Sequence, residues 1–119
     1  MGLEATRIAY TEGYSWLEEA KLVYEESIKY TVEYINNKCS PLNAYPSECG
    51  YTCWIEYTKL DVNEAKMMEM LEKANIYVYP GSRFGVDHGK YFRLNCGIPK
   101  KILKMTLERL FEVINKLNF

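Results

Sequence analysis

Residues 80–99 read PGSRFGVDHGKYFRLNCGIP, and the reading of this stretch decides the fold. It begins as a loop, in which Gly81, Gly85 and Gly89 let the backbone turn or approach a neighbour closely. A strand follows. Phe92, Leu94 and Cys96 alternate with Tyr91, Arg93 and Asn95, so the first three face one way and the second three the other. Gly97 breaks the strand and Pro99 suits the first turn of a helix. One arginine therefore stands in mid-strand, turned away from an apolar layer. A charge is seldom buried without a partner, so Arg93 requires water, an internal ion pair or an anion. A carboxylate would suit its planar fork.

Working outward, residues 51–57 form a second alternating strand. Tyr51, Cys53, Ile55 and Tyr57 share one face, and Thr52, Trp54 and Glu56 the other. Residues 42–46 read as a short edge strand after a turn at Ser40, Pro41 and Asn43, since an edge tolerates Pro46 at its end. A short strand is expected at residues 76–79. Between these strands a helix starts near residues 60–64, with Asp61 as its cap, Glu64 completing a capping box and Leu60 stapling Ala65. Val62, Ala65, Met68 and Leu71 make its inner face, and Asn75 suits its end. A last helix, residues 99–117, carries Leu103, Leu107, Leu110, Ile114 and Leu117 on one side and lysines on the other. The first helix runs over residues 11–37, capped by Thr11. Leu17, Ala20, Tyr24, Ile28, Thr31 and Ile35 form its core face, and Trp16, Val23, Tyr30 and Tyr34 a second stripe. At about 40 Å it is longer than such a domain needs, so the second stripe predicts packing on something outside this chain. Helix, strand, strand, helix, strand, strand, helix gives an α/β (α+β) fold: a two-layer sandwich with helices on one face of a small, mainly antiparallel sheet.

Composition narrows the function. At 119 residues with 48% hydrophobic content the chain can bury one core. A net charge of −1 gives no general attraction to nucleic acid or to an anionic membrane. No run of about 18 apolar residues and no signal peptide are present, which predicts a cytoplasmic chain with reduced thiols, although four cysteines leave a disulfide open. Cys49 and Cys53 are not at zinc-knuckle spacing, and His88, the only histidine, reads as a loop residue. Cys53 and Cys96 read as core. No GxSxG, P-loop or HExxH motif is present, so no catalytic residues and no metal ligands are assigned.

PSECGYTCWIEY (46–57), PGSRFG (80–85), FRLNCGIPK (92–100) and the closing helix with Glu108, Arg109 and Leu110 together resemble the end of a fold-type I aminotransferase. The match is to the class I/II branch that includes cystathionine β-lyase-type carbon–sulfur lyases. AYTEGYSWL (9–17) resembles the sequence entering that branch's long interdomain helix. The resemblance covers nearly the whole chain, in order. It implies that residues 1–38 are the end of a large domain and the interdomain helix, and that residues 39–119 are the small C-terminal domain. It also implies that Arg93 grips the α-carboxylate of an amino-acid substrate. Tyr51 matches the family's tyrosine after the turn, whereas Thr52 and Cys53 replace more usual apolar and small residues, which leaves substrate preference open.

The family's Schiff-base lysine, in its serine-rich motif, and its phosphate-binding residues have no counterpart here. The resemblance therefore implies that pyridoxal 5'-phosphate is held by the large domain of the parent, as an electron sink. This piece would bind none, would be inactive alone, and would belong to a homodimer. The alternative is a free-standing α/β module that binds an anion or a protein at the face around Arg93 and Trp54.

Overall fold

The computed structural model describes residues 1–48, 50–85 and 89–117. Its sheet is built on the two alternating strands. β1 (Asn43–Pro46), β2 (Thr52–Glu56), β3 (Tyr79–Pro80) and β4 (Tyr91–Asn95) lie in the order β1-β2-β4-β3, every neighbouring pair antiparallel. Ile55 pairs with Phe92 and Cys53 with Leu94. These four side chains are buried, and they carry the helical layer. The other face, with Trp54 opposite Arg93, carries none of the described α-helices; the short 3-10 turn Gly81–Phe84 lies against it.

Among the described residues, four α-helices accompany the sheet: α1 (Gly2–Glu12), α2 (Tyr14–Lys38), α3 (Glu64–Lys73) and α4 (Lys100–Leu117). Leu103, Leu107, Leu110 and Ile114 of α4 meet Ile35 of α2, Met67 and Leu71 of α3, and the inner face of the sheet in one core. Thr31 is also buried in α2, and its hydroxyl donates to the Ser27 carbonyl at 2.8 Å. No buried side-chain nitrogen or oxygen among the described residues lacks a partner. That is expected of a core whose polar groups must replace water with protein contacts.

Several local expectations require correction. The first helix is two. Thr11 lies inside α1, donating to the Arg7 carbonyl rather than capping, and the chain kinks at Gly13. A Cβ there would lie 2.6 Å from the Ala9 carbonyl oxygen, so the kink admits only glycine without a shift. The α3 cap is Asn63, whose side chain accepts from the Lys66 amide at 2.8 Å. Asp61 cannot serve because residues 60–62 are held out of the helix. The Leu60 amide donates to the Tyr57 carbonyl, and Lys90 Nζ donates to the Leu60 and Val62 carbonyls at 2.8 and 2.6 Å. With the start moved, Met67 joins Leu71 on the buried side and Ala65 is exposed.

The expected strand at residues 76–79 shrinks to Tyr79–Pro80. Ile76 instead closes α3, its amide donating to the Leu71 carbonyl, after Asn75 turns through a left-handed conformation. Tyr51 leaves the inner face. Its carbonyl accepts from the Cys96 amide, and its ring tilts against Tyr24 and covers Gly97, where a Cβ would come within 2.9 Å of it.

Candidate functional site

β4 holds Arg93 between two strands. Its Cα partners are Trp54 on β2 and Tyr79 on β3. Phe92 and Leu94 are fully inside the core, so the strand cannot rotate and Arg93 must project from the open face. The side chain is half-buried. Its guanidinium lies over two rings, 4.7 Å from the centroid of Tyr79 and 5.0 Å from that of Phe84. Arg93 makes no ion pair among the described residues.

Phe84 ends a short 3-10 turn, Gly81–Phe84, and meets Trp54 edge-on, with centroids 5.5 Å apart at 85°. Trp54 in turn stacks on Tyr91 at 5.3 Å. The turn is tied to α3: the Ser82 amide and hydroxyl donate to the two Glu64 carboxylate oxygens at 3.1 and 2.6 Å. Beside Arg93 opens a hollow of about 440 Å³ bounded by Tyr51, Tyr77, Tyr79 and Asn95, with Phe84 outside its lining. The Asn95 side-chain oxygen accepts from the Gly97 amide at 2.8 Å.

Among the described residues, Glu56 is a carboxylate of this face, and it is engaged elsewhere. Tyr45 donates to it at 2.6 Å and Thr58 at 2.7 Å. These bonds, Tyr45's foremost, hold its pKa below the usual carboxylate value. The arrangement thus presents the Arg93 guanidinium, with no acid among the described residues consuming its in-plane donors, beside a recess of small-molecule size, while the exposed Arg83 guanidinium lies over the same Tyr79 ring at 5.6 Å. Such a group can bind and orient a carboxylate by two parallel hydrogen bonds.

The other sequence candidates lie away from it. Cys53 and Cys96 are fully buried on the helical side, with their sulfurs 3.2 Å apart. The hydrogen bond to Cys96 and burial push the Cys53 thiol well up. That bond, with desolvation opposing it, moves the Cys96 thiol the other way, below its ordinary value. Burial pushes Cys39 up to about 11. Thiols so placed are poor nucleophiles. His88 and Cys49 lie outside the described residues. The Lys100 ammonium reaches Glu26 at 3.3 Å, an exposed pair. Sequence reasoning found Arg93 and Trp54 but missed Tyr79, Phe84 and the Glu64–Ser82 contact. The one available signal was an aromatic residue set between glycines in the loop at 81–85.

Three comparisons bear on this geometry. The aminotransferase class I and II family profile matches residues 4–110. Among curated proteins, the chain is 23% identical to Protein MalY of Escherichia coli (strain K12) over 96% of its own length and 30% of that protein's. It is 22% identical to cystathionine beta-lyase PatB of Bacillus subtilis (strain 168), over 89% of this chain and 28% of PatB. Among solved structures, cystalysin from Treponema denticola, which contains a pyridoxal 5'-phosphate cofactor, superimposes with a TM-score of 0.90 at 26% identity. That superposition covers 98% of this chain and 30% of cystalysin. The chain thus spans under a third of the length of the relatives it matches.

Proposed function

The chain belongs to the aminotransferase class I and II family, and from that premise we propose that it is the small C-terminal domain of a pyridoxal 5'-phosphate-dependent aminotransferase or carbon–sulfur lyase. Its part is to recognise the α-carboxylate of the amino-acid substrate through Arg93. In this reading residues 1–38 are the end of the large domain and the interdomain helix, and residues 39–119 the small domain. The single observation that carries it is the half-buried Arg93 guanidinium, mid-strand on the open face of the sheet and without an ion pair among the described residues. The share of each relative that the chain spans supports a parent with a further domain.

The residues of this chain do not fit the cofactor itself. Lys90 is the half-buried lysine among the described residues, and its ammonium is already engaged by two backbone carbonyls just before α3, those of Leu60 and Val62. The other described lysines are exposed. The cofactor's imine and phosphate partners therefore belong to the large domain of the parent, and the isolated chain is inactive. The parent works as a homodimer in the cytoplasm. No helix of the described residues is long and apolar enough to cross a membrane.

The test is kinetic. In the full-length enzyme, Arg93→Ala should lower kcat/KM for α-amino acids by roughly tenfold or more, the loss of a charge-assisted bidentate contact. Arg93→Lys should recover only part, because an ammonium cannot reproduce the fork. Unchanged kinetics would remove Arg93 from the substrate role. Assaying cystathionine, and separately an amino acid with a keto-acid acceptor, then assigns elimination or transamination, since the carboxylate is common to both.

A further inference from the structure

Arginine carries a long side chain with many rotamers, and ordering it on binding weakens the complex. A protein can fix the group beforehand in two ways. An internal carboxylate would hold it, but would occupy the same in-plane N–H donors that a ligand carboxylate needs. An aromatic ring attracts the cation through its face and leaves those donors open. Arg93 shows the second arrangement, over Tyr79 and Phe84, with no ion pair among the described residues.

The two rings are held differently. Tyr79 is fixed by strand register, opposite Arg93. Phe84 sits on a surface turn and is 44% exposed, so apolar burial alone holds it weakly. What anchors its turn is the pair of hydrogen bonds from Ser82 to Glu64 at the start of α3, while Trp54 supplies the surface that it meets edge-on.

We infer that Tyr79 and Phe84 are positioning residues that pre-orient the Arg93 guanidinium for a carboxylate, and that Glu64 acts through Ser82 as the latch that keeps Phe84 in place. This rests on the carboxylate reading of Arg93 and deepens it.

Nuclear magnetic resonance of the 119-residue chain tests it. The Arg93 guanidinium signals, assigned by their loss in Arg93→Lys, report both quantities: exchange between the two Nη groups gives rotation about the Cζ–Nε bond, and the Nε–Hε shift follows titration with acetate at constant ionic strength. Phe84→Leu keeps an apolar side chain but removes the ring face. It should speed the rotation and weaken acetate binding by about two- to fivefold. Phe84→Tyr should restore both. Glu64→Gln, which touches no ring, should give a smaller change in the same direction. A merely structural role for Phe84 would leave the rotation rate alone. Equal rotation and equal acetate affinity in the wild type, Phe84→Leu and Glu64→Gln would overturn the positioning role and leave the carboxylate reading standing. A wild-type Arg93 signal that acetate does not move would overturn both.

Discussion

The two halves of α2 have similar composition and opposite environments. In the second half Ile28, Thr31 and Ile35 are buried, and Tyr30 and Tyr34 pack partly against the core. In the first half Tyr14, Trp16, Leu22 and Val23 are all exposed, Trp16 at 66% and Val23 at 58%, and α1 before them buries nothing. The helix is continuous across both. An apolar stripe therefore states that a helix needs cover without stating where the cover is. Contacts to α2 from the β4–α4 region and Tyr51 reach back to Glu26 and Tyr24, and the molecule is 54 Å long. Each stripe read from the sequence divides along the helix axis: Leu17, placed on the core face, is exposed, and Tyr30, placed on the second stripe, is half-buried.

Substitutions can break or sharpen this contrast. The largest effect is expected in the domain: Leu107→Ala, at a site with no solvent exposure, should cost about 2–5 kcal/mol through lost burial and a cavity, read from the shift of a urea unfolding curve. A cost under about 1 kcal/mol would mean the core is far looser than the structure describes. Next is the Arg93 face, where function and stability should part. Arg93→Ala should change the stability of the chain by under about 1 kcal/mol, despite the tenfold kinetic loss expected in the full-length enzyme.

The α3 start gives a smaller stability effect. Asn63→Ala should cost about 1 kcal/mol through the lost cap, whereas Asp61→Ala should cost little. A reversed order would restore the cap to Asp61. The smallest effect belongs to the first half of α2. Trp16→Ser with Val23→Ser should leave the unfolding midpoint nearly unchanged, within about 0.5 kcal/mol. The same pair should weaken the concentration-dependent self-association expected of an exposed apolar stripe, as followed by sedimentation velocity. A monomer at every concentration would show that the stripe is not adhesive.

A pH scan probes the domain without mutation. Burial holds Cys39 in its neutral form, with its pKa raised from 9.0 to about 11. Desolvation likewise raises Tyr57 to about 12. A raised pKa stabilises the fold fully below the unfolded value, and that contribution is lost as pH climbs through the folded value. Stability should therefore fall from about pH 9 upward, and Cys39→Ala should flatten the first part of the fall, between pH 9 and about 11. An unaltered alkaline limb in that variant would assign the loss to other groups.

What the sequence determined by itself is what a local period can encode. The alternation at Ile55, Phe92 and Leu94 placed them inside and Trp54 and Arg93 outside. The spacing of Leu103, Leu107, Leu110 and Ile114 gave α4 its buried side. The ordered family motifs agreed with both. Tertiary structure decided whatever depends on two distant segments meeting. Lys90, by binding the carbonyls of Leu60 and Val62, moved the α3 cap to Asn63. The packing limit of the sheet and α4 chose which half of α2 is covered. Register brought Tyr79, and the Glu64–Ser82 contact brought Phe84, to the guanidinium of Arg93. Side-chain alternation is fixed by backbone geometry within a few residues, whereas these neighbours are set by packing between elements far apart in the chain, and no local pattern carries that information.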